Sequence, residues 1–124
     1  MSVRALLGAV YQPDARVQLT TFEVPVGPAL GTATATTCGS ELGTALAPGL
    51  PQDFAPGVLD ALAGSASDAR LQAGLVRVDR AGFDEAGSGD MAFWLTADLL
   101  RRVLSALMRR EDPADVARAA LRTW

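Results

Sequence analysis

The chain has 124 residues, of which 11 are basic and 14 acidic, and it carries a net charge of −3. A chain of this length can bury its own core, so we expect a single domain over residues 1–124. The negative balance excludes bulk electrostatic binding to a phosphate backbone, and we expect no DNA partner. The single Cys excludes an internal disulfide, and no apolar run reaches membrane-spanning length. We therefore expect a cytoplasmic protein with no membrane partner.

The first part of the chain has the pattern of β-strands. Residues 3–11 and 16–24 predict two strands in an antiparallel hairpin, with a turn at residues 12–14 where Pro fixes φ. Residues 32–38 alternate between small side chains and predict a third strand. Residues 42–47 continue that strand after a bulge or turn.

The next elements alternate between helix and strand. Residues 51–62 predict a helix with a proline in its first turn, and a second proline, Pro56, should kink this helix or delay its start. Residues 64–68 form a loop, residues 71–79 predict a strand buried on at least one face, and residues 81–87 form a turn. With two helices after it, the order is β-β-β-α-β-α-α. That order predicts an α+β fold, a two-layer sandwich.

Residues 88–110 predict a long helix, which organises the rest of the chain. Its polar side chains recur at helical spacing and form one stripe: Asp98, Arg101, Arg102, Ser105 and Arg109. The remaining arc is apolar and wide enough to pack against a sheet on one side and a helix on the other. The arginines of the stripe have acidic neighbours, so a solvated face is a better interpretation than contact with RNA or an acidic partner.

The ends of this helix and its two aromatic residues give further predictions. Ser88 or Asp90 is expected to cap its first turn, and Asp112 to cap a short last helix that begins at Pro113. Phe93 is expected inside. Its neighbour Trp94 is then partly exposed, or covered by the last helix or a second subunit, and is the preferred association surface.

The residue types do not indicate a catalytic, metal or cofactor site, and we expect no enzyme. The chain has no His, so Cys38 has no imidazole to activate it and is interpreted as a small buried thiol. Asp84, Glu85 and Asp90 cluster near one loop, but caps, turns and surface explain them better than a divalent cation. The Gly-x-Gly at residues 87–89 is better explained as a helix start than as a phosphate site, because Asp90 opposes an anion.

Two stretches of the chain resemble domain IV of translation elongation factor G and of its ribosomal-protection relatives. Residues 49–58 read Gly-Leu-Pro-Gln-Asp-Phe-Ala-Pro-Gly-Val, where the family has Gly-Val-Ile-Pro-Lys-Glu-Tyr-Ile-Pro-Ala-Val around its first helix. Residues 82–93 read Gly-Phe-Asp-Glu-Ala-Gly-Ser-Gly-Asp-Met-Ala-Phe, where the family has Ser-Tyr-His-Glu-Val-Asp-Ser-Ser-Glu-Met-Ala-Phe. With the strand between them, the resemblance covers about residues 48–108.

The resemblance implies a fold detail and a binding site. The family has a left-handed βαβ crossover, a rare exception to the right-handed rule. Its members reach the decoding region of the small ribosomal subunit through two tip loops, and residues 83–88 resemble the second of these loops. Asp84, Glu85 and Ser88 are therefore the binding residues that the resemblance implies.

Departures from the family pattern limit what the resemblance implies. Asp84 stands where the family has His, Gly87 stands where it has Asp, and the basic first tip loop has no equivalent at residues 12–14. The phosphate loop of GTPases is also missing, so the resemblance is to a stand-alone domain without GTPase activity.

We therefore expect a non-enzymatic binding module without a cofactor, whose partner is the ribosome or another protein. The alternative is a homo-oligomeric structural or interaction protein unrelated to translation. Such a protein would associate through the small-residue strand at residues 32–38 and through Trp94.

Overall fold

The computed structural model describes residues 5–13, 21–24, 26–27, 47–64, 70–83 and 89–123. The strands are β1 (Ala5–Gln12), β2 (Thr21–Glu23), β3 (Ala47–Pro48) and β4 (Leu75–Phe83), and the helices are α1 (Ala55–Ala63), α2 (Asp90–Met108) and α3 (Pro113–Leu121). The strands form one mixed sheet, and α2 contacts β1, α1 and α3. The predicted two-layer α+β sandwich is confirmed. No helix in these ranges is long and apolar enough to cross a membrane.

The core lies between the sheet and the helices. Its fully buried side chains include Val76 and Val78 of β4, Val58 and Leu62 of α1, and Phe93 of α2. Because β4 alternates these valines with exposed residues, one face of the strand packs on the helices, as the sequence pattern predicts.

β4 lies at the centre of the sheet and pairs on both of its edges. β1 pairs antiparallel with it over the whole strand, from Ala5 opposite Phe83 to Gln12 opposite Leu75. On the other edge, β2 pairs parallel with the start of β4, and β3 pairs antiparallel with its end.

The predicted hairpin between the first two strands is wrong, because β1 and β2 lie on opposite edges of β4. β4 has two fully buried valines and is the apolar strand of the sheet. In the central position both of its edges have hydrogen-bond partners, so that neither edge of this strand is left open. β4 also begins and ends four residues later than predicted, so residues 81–83 belong to a strand instead of a turn. The predicted strand at residues 32–38 lies outside the described residues.

β2 and β4 are parallel neighbours, and the chain between them contains β3 and α1. This connection is a crossover of the βαβ kind. Its left hand, which the resemblance implies, stays a prediction.

The start of α1 follows from its prolines. Residues Gln52–Phe54 form a 3-10 turn, and the α-helix begins only at Ala55, with Pro56 in its first turn. In the first turn Pro does not remove an intrahelical hydrogen bond. The predicted delay of this helix is confirmed. The helix ends at Gly64, which has a φ of 50° and adopts the left-handed conformation that favours Gly.

The polar stripe of α2 is not the solvated face that the sequence pattern predicts. Asp98 is 8% exposed, Arg101 2% and Ser105 5%. Arg101 Nη1 donates to the carbonyl oxygen of Ala61 at 2.8 Å, and Arg101 Nη2 lies 2.8 Å from Asp98 Oδ1. Arg101 is buried because the last carbonyls of α1 have no partner within their own helix and need hydrogen-bond donors from outside it. The prediction holds for Arg109, which is exposed.

The last helix begins as predicted. The Asp112 side chain accepts a hydrogen bond from the backbone N–H of Ala114 at 2.9 Å, and Pro113 is the first helical residue. Asp112 is therefore a true N-cap. In this helix Ala120 is buried, Val116 is half-buried and Ala119 is exposed.

Candidate binding groove

A groove lies where the first turns of α1 and α2 meet. Its volume is about 560 Å³, and its lining residues are Asp53, Pro56, Gly57, Asp90, Met91 and Trp94. We call it the Trp94 groove. A concave site of this size is in the range that holds small molecules or several side chains of a partner.

The start of α1 allows the two helices to come close at this place. Gly57 has no side chain, and a Cβ added there would lie 4.0 Å from Trp94 Cβ and 3.9 Å from the carbonyl oxygen of Asp90. Next to Asp53 and Trp94 in the sequence, Phe54 and Phe93 stack their rings with centroids 5.2 Å apart. Phe93 is fully buried, which confirms its predicted inward position. This aromatic contact therefore holds the start of α1 against α2 beside the groove.

Trp94 is held in one orientation although 36% of it is exposed. Its indole N–H donates to Asp60 Oδ2 of α1 at 3.2 Å. Met91 lies one helical turn earlier and is 61% exposed. A fixed indole and an exposed thioether give the groove an apolar surface that water covers poorly.

The charged residues at the groove are all acidic. Asp53 lies in the first turn of the 3-10 segment, and Asp90 is the first residue of α2, positions where a helix N-terminus stabilises a carboxylate. Asp60 lies beside Trp94, and no basic residue is among the described residues that line the groove. The groove therefore combines an apolar surface with negative potential.

A second cavity, of about 40 Å³, lies near the other end of α2. Its lining residues include Arg70, Gln72, Ser105 and Arg109. This volume holds a few water molecules and is too small for a partner side chain of ordinary size.

The predicted site residues are only partly placed. Trp94 lines the groove and is partly exposed, which is one of the predicted alternatives, and its indole contacts α1 through Asp60. Asp84, Glu85 and Ser88 lie outside the described residues, as does Cys38. Of the two predicted caps of α2, Asp90 is the first helical residue, and Gly89 takes the N-cap position.

The sequence interpretation missed most of the groove. Pro56 and Gly57 carried a signal for this part of the groove. A proline fits the first turn of a helix, and a glycine allows another element to approach the backbone closely. Asp60 carried no such sequence signal, because its partner Trp94 is 34 residues away and only the tertiary fold brings the two residues together. Within the described residues, no group of three or more His, Cys, Asp or Glu could hold a metal ion.

Comparisons with models of protein families, with curated proteins and with solved structures find no match for this chain. The resemblance to domain IV of elongation factor G therefore stays a prediction. The function has to be argued from the groove itself.

Proposed function

We propose that this protein is a non-enzymatic binding module that holds a segment of a partner protein in the Trp94 groove. The observation that carries the proposal is the fixed, one-third exposed indole of Trp94 beside the exposed Met91. Trp and Met are enriched in protein interfaces, and Trp is prominent among the residues that dominate binding energy. Because Asp60 already fixes the indole, binding costs little side-chain entropy.

The chemistry of the groove supports binding better than catalysis. Among the described lining residues the titratable groups are the carboxylates of Asp53 and Asp90, and neither has a described partner that would activate it as a nucleophile or a base. A groove with one fixed aromatic ring and few polar groups is typical of a site that recognises a partner.

The ribosome is the particular partner that the resemblance implies, with a cytoplasmic location. What supports this finer proposal is that five of the six groove residues belong to residues 49–58 and 82–93, which carry the resemblance. Co-sedimentation with purified ribosomes in a salt series tests it. Pelleting at physiological salt that Trp94→Ala abolishes would support a ribosomal partner, whereas no pelleting at low salt would refute it.

The general proposal is tested by selecting peptides from a random display library on the immobilised protein. We expect enriched peptides that lose binding on Trp94→Ala but keep it on Leu107→Ala. Leu107 is a matched control, because it is a 56% exposed apolar residue of the same helix outside the groove lining. Circular dichroism and thermal unfolding check that both variants fold. Enriched peptides that bind Trp94→Ala equally well would refute the proposal.

The alternative is self-association through Trp94. Sedimentation velocity at micromolar concentration separates it from the binding module. A dimer that Trp94→Ala converts to monomer would mean that the groove holds a second copy of this chain.

A further inference from the structure

We infer that the Trp94 groove selects a partner segment by a positively charged side chain, an arginine or a lysine, flanked by apolar residues. The inference rests on the proposed function and names the chemistry of the partner. It requires that the cation lie against the indole of Trp94, with Asp53 and Asp90 as its counter-charges.

The described charges at the groove are unbalanced in favour of carboxylates. The three carboxylates of Asp53, Asp60 and Asp90 carry a formal charge of −3, and two helix N-termini offset this by about half a charge each. About −2 remains at an apolar surface. A low-dielectric wall beside such charge strengthens its attraction for a cation and its repulsion of an anion.

Two carboxylates that line the groove are available to a partner. Asp53 and Asp90 are both exposed, and neither forms an ion pair or a side-chain hydrogen bond with another described residue. By contrast, Asp98 and Asp115 are paired with arginines of their own helices. A partner cation would therefore find unpaired counter-charges at the groove without breaking an existing contact.

The indole of Trp94 would attract the same cation. A cation within about 6 Å of a Trp ring face is attracted by its quadrupole, and Trp is the strongest of the aromatic side chains in this interaction. The hydrocarbon stem of Arg or Lys can pack on an apolar neighbour while its charged end reaches a carboxylate. Met91 provides that apolar neighbour in the same groove. An apolar side chain would use the indole and Met91 but would leave the carboxylates unpaired.

The experiment compares two peptide libraries that differ only in the charge of one side chain. Both are mixtures of pentapeptides with Ala, Leu, Val, Pro and Gly at the outer positions, and the central residue is arginine in one and citrulline in the other. Citrulline has nearly the shape of arginine but no charge. The protein has two Trp, so ¹⁵N-labelled Trp124→Phe protein gives one indole N–H resonance, that of Trp94.

We expect the arginine library to shift the Trp94 resonance and to bind at least about tenfold more tightly than the citrulline library, a difference of about 1.4 kcal/mol. The double variant Asp53→Asn/Asp90→Asn should lower the arginine affinity severalfold and shrink the preference over citrulline, and the indole and Asp60 should sustain what remains. The control Glu111→Gln removes one charge from an exposed residue outside the groove lining and should change the affinity less than twofold. The arginine preference should also shrink as salt is raised.

The other outcomes refute the inference in distinguishable ways. Equal shifts of the Trp94 resonance by both libraries would refute cation selection and leave docking in the groove standing. An arginine preference that Asp53→Asn/Asp90→Asn leaves undiminished would place the recognition of charge elsewhere. No shift with either library would refute the inference, and the display selection would then decide the proposed function independently. A dimer lost on Trp94→Ala would replace the partner segment by a second copy of this chain.

Discussion

Asp98 and Arg101 form the ion pair on which we expect the stability of the fold to depend most. The Asp98→Ala variant leaves the guanidinium of Arg101, whose side chain is 2% exposed, without the carboxylate that lies 2.8 Å from it. Breaking a buried ion pair by removing one partner costs about 3–5 kcal/mol. We take the lower end, about 3 kcal/mol, because the hydrogen bond from Arg101 to the carbonyl oxygen of Ala61 remains.

This loss should be large in a thermal scan. With an unfolding entropy of about 2.1 cal/mol/K per residue, a loss of about 3 kcal/mol lowers Tm by roughly 12 °C for this chain. The matched control is Arg102→Gln, because Arg102 contacts the other oxygen of the same carboxylate at 3.0 Å but is 40% exposed. Solvent screens that contact, and its loss should cost about 0.3–0.5 kcal/mol.

Urea unfolding followed by circular dichroism gives the free energies directly, and the slope m shows whether the variants still unfold as compact proteins. The double variant Asp98→Leu/Arg101→Leu tests the cause of the loss. We expect it to be more stable than Asp98→Ala, because no uncompensated buried charge remains. If Asp98→Ala costs no more than Arg102→Gln, the buried pair does not stabilise the fold and this reasoning is wrong.

The remaining predictions concern three caps and one phenol. Gly64→Ala should cost at least about 2 kcal/mol in urea unfolding, because φ is 50° and the added Cβ would lie 2.6 Å from Arg101 Cδ. Gly89→Ala, with a φ of −171° and open space around the added Cβ, should cost only about 0.5–1 kcal/mol, because Ala is a poorer N-cap than Gly. Asp112→Ala should cost about 1 kcal/mol in the same assay, and no loss would mean that the Asp112 cap adds nothing to stability. Burial raises the pKa of Tyr11 above its ordinary value of 10.0, so its contribution to stability is complete below pH 10 and is lost as pH rises through the folded pKa. Tyr11 is the single Tyr, so absorbance at 295 nm follows it alone, and a midpoint no higher than that of the protein in 8 M urea would contradict the prediction.

The elements that sequence reasoning placed well are those with local signals. The long helix was predicted over residues 88–110 and extends over Asp90–Met108, because its apolar periodicity persists for five turns. The delayed start at Pro56 and the cap at Asp112 follow from the chemistry of single residues. These features depend on neighbours within four residues, which a sequence shows directly.

The features that sequence reasoning missed are set by residues far apart in the chain. β1 pairs with β4 across about seventy residues, and nothing in the alternation of either strand names its partner. The polar stripe shows a similar limit, because periodicity places Asp98, Arg101 and Ser105 on one face without showing what lies opposite that face. Arg is seldom fully buried, so a solvated face was the reasonable expectation.

The same helix pair explains both the stability and the shape of the groove. Adjacent residues of α1, Asp60 and Ala61, accept hydrogen bonds from Trp94 and Arg101, which are seven residues apart on α2. Seven residues make two turns and about 10 Å of helix, so both donors lie on one face of α2. The contact of Arg101 with Ala61 is buried, and the contact of Trp94 with Asp60 lies at the surface. Together they fix the angle and spacing of α1 and α2 at two points, and the width of the Trp94 groove follows from that spacing. An indole that is held by the same helix pair that anchors the core is pre-organised by the fold, which favours the selective binding that we propose for the groove.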